Sequence, residues 1–292
     1  MGFDDLKGQP PRTAENSRFP EAAISYGNEA LLRSKKATKE LRKELDVAFG
    51  DDYYQKLDVY FAARAAKRAP VFLFFHGGAW AHGYKEWNGF MAPAFVDTPA
   101  IFVSASYRLV PQSKWPDMLD DALSALNWVY KNADYIGADP NHIIVGGWSA
   151  GGTLASLIAL RKEQSVQAGV PQEAIKGCLV TSTSFMFRSD TPAPGNQSAT
   201  YRDFLFRKEA DQQEISALNF TSTNSVPFFI AHGQNDFPHV VQTSSEMAAA
   251  LKKAGTQVLY HIYPGDHYSM NLSQGDRRHE WVKTARDWIS RR

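Results

Sequence analysis

Gly147-Trp148-Ser149-Ala150-Gly151 sets a serine between small neighbours in the pattern G-x-S-x-G. A hydroxyl works as a nucleophile when it stands clear of its own backbone, and small residues around it permit the sharp strand-to-helix turn that projects it. The chemistry this suits is acyl transfer, with Ser149 attacking a carbonyl carbon. A second small-residue stretch, His76-Gly77-Gly78-Ala79-Trp80, lets the backbone approach a ligand and aim N–H groups at it. Together with the N–H of Ala150, those of Gly78 and Ala79 would hold the oxyanion of a tetrahedral intermediate.

A serine of this kind needs a base, and the base an orienting carboxylate. Of the 8 histidines, His76 belongs to the glycine stretch, where it braces a turn. His142 precedes the strand that leads to Ser149, which is the wrong end. His261 falls inside an expected strand, His279 inside the expected last helix, and His232 ends a strand as a local brace. His82 and His239 fall in loops where either could line a pocket. His267, in Tyr263-Pro264-Gly265-Asp266-His267, follows the last expected strand and is the candidate base. Asp236, after His232-Gly233-Gln234-Asn235, is the candidate carboxylate, and Asp266 reads as a turn residue. Trp80, Trp148, Phe237 and Tyr268 adjoin these motifs and are expected to wall the substrate pocket, against the plainer reading that most aromatics are core.

These groups need a frame that brings loop ends together. Apolar runs at Val71–Phe75, Ala100–Ser106, Ile143–Gly147, Gly177–Ser182, Pro227–His232 and Val258–Tyr263 read as strands, preceded by an alternating one at Gln55–Phe61. Helical spacing appears at Asp117–Lys131, Ala150–Glu163, Thr243–Lys253 and Asp276–Ser290, and also over residues 28–49, ending near Phe49-Gly50. Strands alternating with helices give an α/β fold, a mostly parallel sheet covered on both faces, with ligands at the carboxyl ends of the strands. Residues 1–50 are expected to form an N-terminal helical segment that contributes to a cap, and residues 51–292 the catalytic domain. Residues 183–225 exceed what a strand connection requires and carry Tyr201, Phe204 and Phe206 beside Thr191-Pro192-Ala193-Pro194-Gly195, which suggests a lid insertion.

Composition excludes several other classes. Lys plus Arg number 32 against 31 Asp plus Glu, a net charge of +1, so no global field favours nucleic acid or an anionic membrane. The single Cys178 allows neither an intrachain disulfide nor a cysteine zinc site. H-E-x-x-H, a Walker loop and an acidic calcium loop are all missing from the sequence, so no metal and no cofactor is expected. Met1–Pro20 lacks the apolar stretch of a signal peptide, and no apolar run approaches the ~18 residues of a membrane span, so the expectation is a cytoplasmic protein acting on a small molecule.

With its residues in view, the sequence resembles the α/β-hydrolase superfamily, in particular its hormone-sensitive-lipase-like and arylformamidase-like serine hydrolases. The resemblance rests on His76-Gly77-Gly78-Ala79-Trp80, Tyr107-Arg108-Leu109, Trp115-Pro116 before Asp120-Asp121, Asp139-Pro140, Gly147 to Gly152, His232-Gly233-x-x-Asp236 and His267, in that order. Ala79 stands where the lipase-type H-G-G-G has its third glycine, and Trp80 follows. With Tyr53 and Leu57-Asp58-Val59-Tyr60, this is closer to the arylformamidase-like branch. The resemblance implies a catalytic set of Ser149, Asp236 and His267 acting on short or aromatic esters, or on the formamide of N-formylkynurenine. A non-hydrolytic receptor or lyase-like member is the rival from another class, and such members commonly lose a triad residue.

Overall fold

The computed structural model describes residues 20–63, 68–98, 100–193 and 196–292. Eight strands form one sheet: β1 Lys43–Ala48, β2 Lys56–Tyr60, β3 Ala69–Phe75, β4 Ile101–Ala105, β5 Ala138–Trp148, β6 Ile175–Thr181, β7 Phe228–Gly233 and β8 Val258–Tyr263. Six helices matter here: α1 Glu21–Ala37, α2 Asp117–Lys131, α3 Ala150–Leu160, α4 Pro238–Lys253, α5 His267–Leu272 and α6 Glu280–Ser290. The strand order is β1-β2-β4-β3-β5-β6-β7-β8. From β4 to β8 all neighbours are parallel, while β2 runs against both β1 and β4.

Alternation along the strands sorts their side chains into two cores. Val71, Leu73 and Phe75 of β3 enter one face with Ile143 and Val145 of β5 and Cys178 and Val180 of β6. There they meet Leu119 and Leu126 of α2, Leu154 and Ile158 of α3, and Met247 and Leu251 of α4. Phe72, Phe74, Phe102 and Phe229 point to the other face, against Trp281, Val282, Ala285, Trp288 and Ile289 of α6. Those five positions form one stripe of a 3.6-residue helix. Burying a large apolar side chain of this kind contributes about 1.5–3 kcal/mol of transfer free energy.

Register makes the strand ends level. Phe75 pairs with Gly147, Trp148 with Thr181, Thr181 with Ala231, and Gly233 with Tyr263. The loops after β3, β5, β7 and β8 therefore open on the same edge of the sheet.

The helix expected over residues 28–49 is corrected. It runs from Glu21 to Ala37, and Lys43–Ala48 is an antiparallel edge strand instead. Leu41 and Leu45 have helical spacing, but Leu45 and Val47 also alternate, and the deciding contacts are distant. Asp46, at a bulge with φ 59°, receives Lys85 Nζ at 2.8 Å. The same ammonium meets Asp58 at 2.9 Å and Glu86 at 2.7 Å. A buried cation sharing three carboxylates across separate elements outweighs local periodicity.

Two helix starts also differ from expectation. The fourth helix begins at Pro238, ahead of Thr243, and His279 lies outside the last helix as its N-cap, where the imidazole Nδ1 accepts the Trp281 N–H. In the insertion, a hairpin of Pro192–Ala193 with Asn196–Thr200 precedes short helices at Tyr201–Phe204 and Asp211–Ile215. Phe185, Phe187, Leu205, Phe206 and Ile215 are buried, and the Trp115 N–H donates to Leu205 O at 3.0 Å. The readings made of Met1 to Phe19 and of Pro194-Gly195 fall outside the described residues. Among the described residues, no helix is long and apolar enough to cross a membrane.

Candidate active site

Ser149 sits between β5 and α3 with φ 55° and ψ −123°. A left-handed backbone at a non-glycine residue costs free energy, and here it lifts the side chain off the sheet edge. The turn closes only because Gly151 lacks a side chain, since a Cβ there would collide with the carbonyls of Phe75 and His76. The oxyanion-loop candidate is thus packed directly under the serine's helix.

Positive φ also runs through that loop: 122° at Gly78, 52° at Ala79 and 68° at Trp80. Ala81 and His82 N–H groups close onto Gly78 O at 3.1 and 2.9 Å. Among the described residues the Gly78 and Ala79 N–H groups donate to no other protein atom. Ala150 is the first residue of α3, so its N–H is one of the donors a helix start leaves unused, at the positive end of the helix dipole. His76 braces the turn, with its Nδ1–H on Gly77 O at 2.6 Å. Its ring stacks on Tyr107 at 4.3 Å, and the Tyr107 hydroxyl donates to His76 O at 2.8 Å.

His267 opens α5. Its Nδ1 lies 2.8 Å from Asp236 Oδ1 and its Nε2 3.1 Å from Ser149 Oγ. A carboxylate only accepts, so the Nδ1 carries the proton and the neutral ring offers Nε2 as acceptor to the serine hydroxyl. Asp236 also accepts the Phe237 N–H at 2.8 Å. Burial alone would raise the Asp236 carboxyl; the hydrogen bonds from His267 and the Phe237 N–H outweigh it and hold the group below the ordinary carboxylate range. Asp266, treated above as a turn residue, caps α5 by accepting the Tyr268 and Ser269 N–H groups at 3.1 and 2.8 Å. It thereby fixes the first turn of the helix that begins with His267, a role marked in the sequence only by the Asp-x-x-Ser spacing.

Among the described residues no other histidine hydrogen-bonds Ser149. His232 is held by Gly233 O and the Tyr260 hydroxyl, each at 2.8 Å. His142 lies early in β5, far along the strand from Ser149. His239 is the second residue of α4 and stacks on Phe237 at 5.8 Å.

The four aromatic candidates divide. Phe237 is 41% exposed and lies 4.5 Å from the His267 ring; Tyr268 is half-buried, edge-on to the same imidazole at 5.5 Å. Trp80 and Trp148 are 1% and 2% exposed. Trp80 packs against Trp115 and Phe187. Trp148 donates its indole N–H to His267 O at 3.0 Å. Among the described residues no group of histidines, cysteines or carboxylates has the arrangement of a metal site.

This geometry has relatives. Esterase LipC of Mycobacterium tuberculosis is 29% identical over 246 residues, covering 79% of this chain and 60% of that protein. Kynurenine formamidase of Danio rerio is 26% identical over 273 residues, covering 92% of this chain and 90% of that protein. The chain thus spans about three fifths of LipC, and 43% of carboxylesterase NlhH from M. tuberculosis. A solved esterase of Pyrobaculum calidifontis superposes with a TM-score of 0.74 at 22% identity, covering 92% of each chain, and shares the fold. The family BD-FAE matches residues 57–251, a span that holds all of β2 but Lys56, the glycine loop, Ser149 and Asp236. The chain accordingly belongs to the BD-FAE family and has the α/β-hydrolase fold.

Proposed function

We propose that the protein is a serine carboxylic ester hydrolase that works through an acyl-enzyme. One observation carries the reading: the unbroken contact from Asp236 through His267 to Ser149 Oγ, at 2.8 and 3.1 Å. As Ser149 attacks the ester carbonyl, its proton passes to His267 Nε2, and Asp236 stabilises the imidazolium that forms. The Gly78, Ala79 and Ala150 N–H groups hold the oxyanion. Collapse of the tetrahedral intermediate breaks the bond to the alcohol, which takes the proton from His267. Water then attacks the acyl-enzyme, with His267 again as base, and frees the acid.

The substrate is a small to medium, partly aromatic ester. Phe237 and Tyr268 support this, because the leaving group takes its proton from His267 and so departs beside both rings. The insertion at 183–225 and α1 serve as the cover over the site. The names of LipC, an esterase, and NlhH, a carboxylesterase, support ester hydrolysis in general.

An arylformamidase is the second reading, favoured by the near full-length match to kynurenine formamidase. Both readings run through an acyl-enzyme on Ser149 and differ in the acyl group held and in whether an alcohol or an amine is expelled. Purified protein given p-nitrophenyl esters of increasing acyl length, beside N-formylkynurenine, separates them. Esters turned over with the higher kcat/KM support the first, the formamide the second. Turnover of neither, with Ser149 inert to a fluorophosphonate, overturns the hydrolase reading.

A further inference from the structure

Tyr26 lies on α1, outside the span matched by the family, and carries no motif. It is 3% exposed. Its ring packs against Trp148 at 4.6 Å, Trp87 at 5.2 Å and Tyr268 at 5.6 Å. Its hydroxyl donates to Asn271 Oδ1 at 2.7 Å. Asn271 is fully buried and stands one helical turn after His267 in α5. Gly27 beside it leaves room for the Trp87 indole, which a Cβ there would press at 2.8 Å.

Trp148 is where these contacts converge. It is covalently next to Ser149, its indole N–H holds His267 O, and its ring lies under Gly77, where a side chain would collide with it. Nucleophile, base and oxyanion loop therefore all bear on one indole, and the side chain that backs this indole comes from α1. Through Tyr268 and Asn271 the same tyrosine also contacts α5 just after its catalytic first residue.

We propose that Tyr26 is a positioning residue for the reaction: its ring seats Trp148 and its hydroxyl fixes α5, so that His267 Nε2 meets Ser149 Oγ. This rests on the ester-hydrolase reading of Ser149. The residue touches neither substrate nor reacting atoms, so its loss acts on the chemical step and not on ground-state binding. Misplacing reacting groups by 1 Å costs up to about 10²-fold.

The test compares full-length Tyr26→Leu, Tyr26→Phe, Asn271→Leu and Ser34→Ala. Ser34 anchors α1 two turns further on, accepting the Phe90 N–H at 2.8 Å and donating to the Trp87 backbone carbonyl at 3.4 Å, with no hydrogen bond to Trp148 or α5 among the described residues, and serves as a control for loosening the helix. Steady-state kinetics on an aryl ester, the rate of Ser149 labelling by a fluorophosphonate and the thermal midpoint are measured for each. Tyr26→Leu is expected to lower kcat and the labelling rate about 10- to 100-fold with KM within about twofold. Tyr26→Phe keeps the ring and recovers most of that loss, and Asn271→Leu falls between. Ser34→Ala loses thermal stability and keeps kcat. Three results overturn the proposal: a rise in KM at unchanged kcat, which would make Tyr26 a pocket wall; rates that track the thermal midpoint across all four variants; or unchanged labelling. If Tyr26→Leu does not fold, Tyr26→Phe and Asn271→Leu decide, through kcat and the pH profile of kcat/KM. A wild-type protein that is not labelled at Ser149 defeats the hydrolase reading first and is thereby told apart from failure at Tyr26.

Discussion

His267 with Asp236, and Lys85 with Asp46, Asp58 and Glu86, are both buried ionisable contacts of nearly equal length. They differ in what is left over. The Lys85 ammonium has three protons and meets three carboxylates, so nothing remains for a ligand. The imidazole gives one nitrogen to Asp236 and presents the other to Ser149. Saturation produces a structural joint between β1, β2 and the turn after the glycine loop. An acceptor facing a hydroxyl is what the proposed reaction needs.

The comparison is sharpened by substitutions that separate rate from stability. Ser149→Ala should lower kcat on the order of 10⁶-fold, if the triad acts as a unit, and leave the denaturation midpoint unchanged. Asp236→Asn should cost on the order of 10⁴-fold by admitting the wrong imidazole tautomer. Lys85→Met reverses the pattern: it takes the ammonium from the buried carboxylates Asp58 and Glu86 and from the half-buried Asp46, and should destabilise by about 3–5 kcal/mol in urea denaturation, while the folded fraction keeps its kcat. A catalytic loss at Lys85 larger than its unfolding explains would break the distinction.

The smallest effect lies in pH. Burial, reinforced by Glu86, pushes Asp58 up to about 6 against the pull of Lys85, above an unfolded value of ~3.9. The native state binds the extra proton between those values, so this carboxyl makes stability fall as pH rises from about 4 to about 6. Asp236 is lowered, so its contribution is full above the unfolded value and is lost as pH falls through the folded one. Denaturation midpoints across pH 3–7 should therefore change slope in opposite senses in Asp58→Asn and Asp236→Asn. Equal slopes would remove the contrast.

What the sequence made legible is what is local. Ser149, Asp236 and His267 each follow a strand run directly, and a parallel sheet levels those ends, so chain order was enough to group them. The sheet itself followed from alternation of strand and helix patterns. β1 stayed hidden because Asp46 is held by Lys85, some forty positions away, and residues 43–48 carry no strong β signal. His279 became a cap because its backbone is extended at φ −67° and ψ 136° and its imidazole accepts Trp281 N–H, a choice that hydrophobic spacing does not register. Tyr26 was invisible for the same reason as β1: its four partners lie between 61 and 245 residues away along the chain. The pocket aromatics were located by adjacency, which says where a side chain begins and not whether it faces solvent. Phe237 and Trp148 adjoin triad residues equally, and one is open while the other is sealed.

Cys178 has a practical consequence. It is the single thiol of the chain, fully buried in β6 between β5 and β7. An alkylating reagent reaches it only when the middle of the sheet parts, so the labelling rate of this sulfur is a clock for opening of the whole domain. Every variant above carries that clock without a probe being added. Those that touch only the reaction should keep wild-type time, and Lys85→Met should run fast.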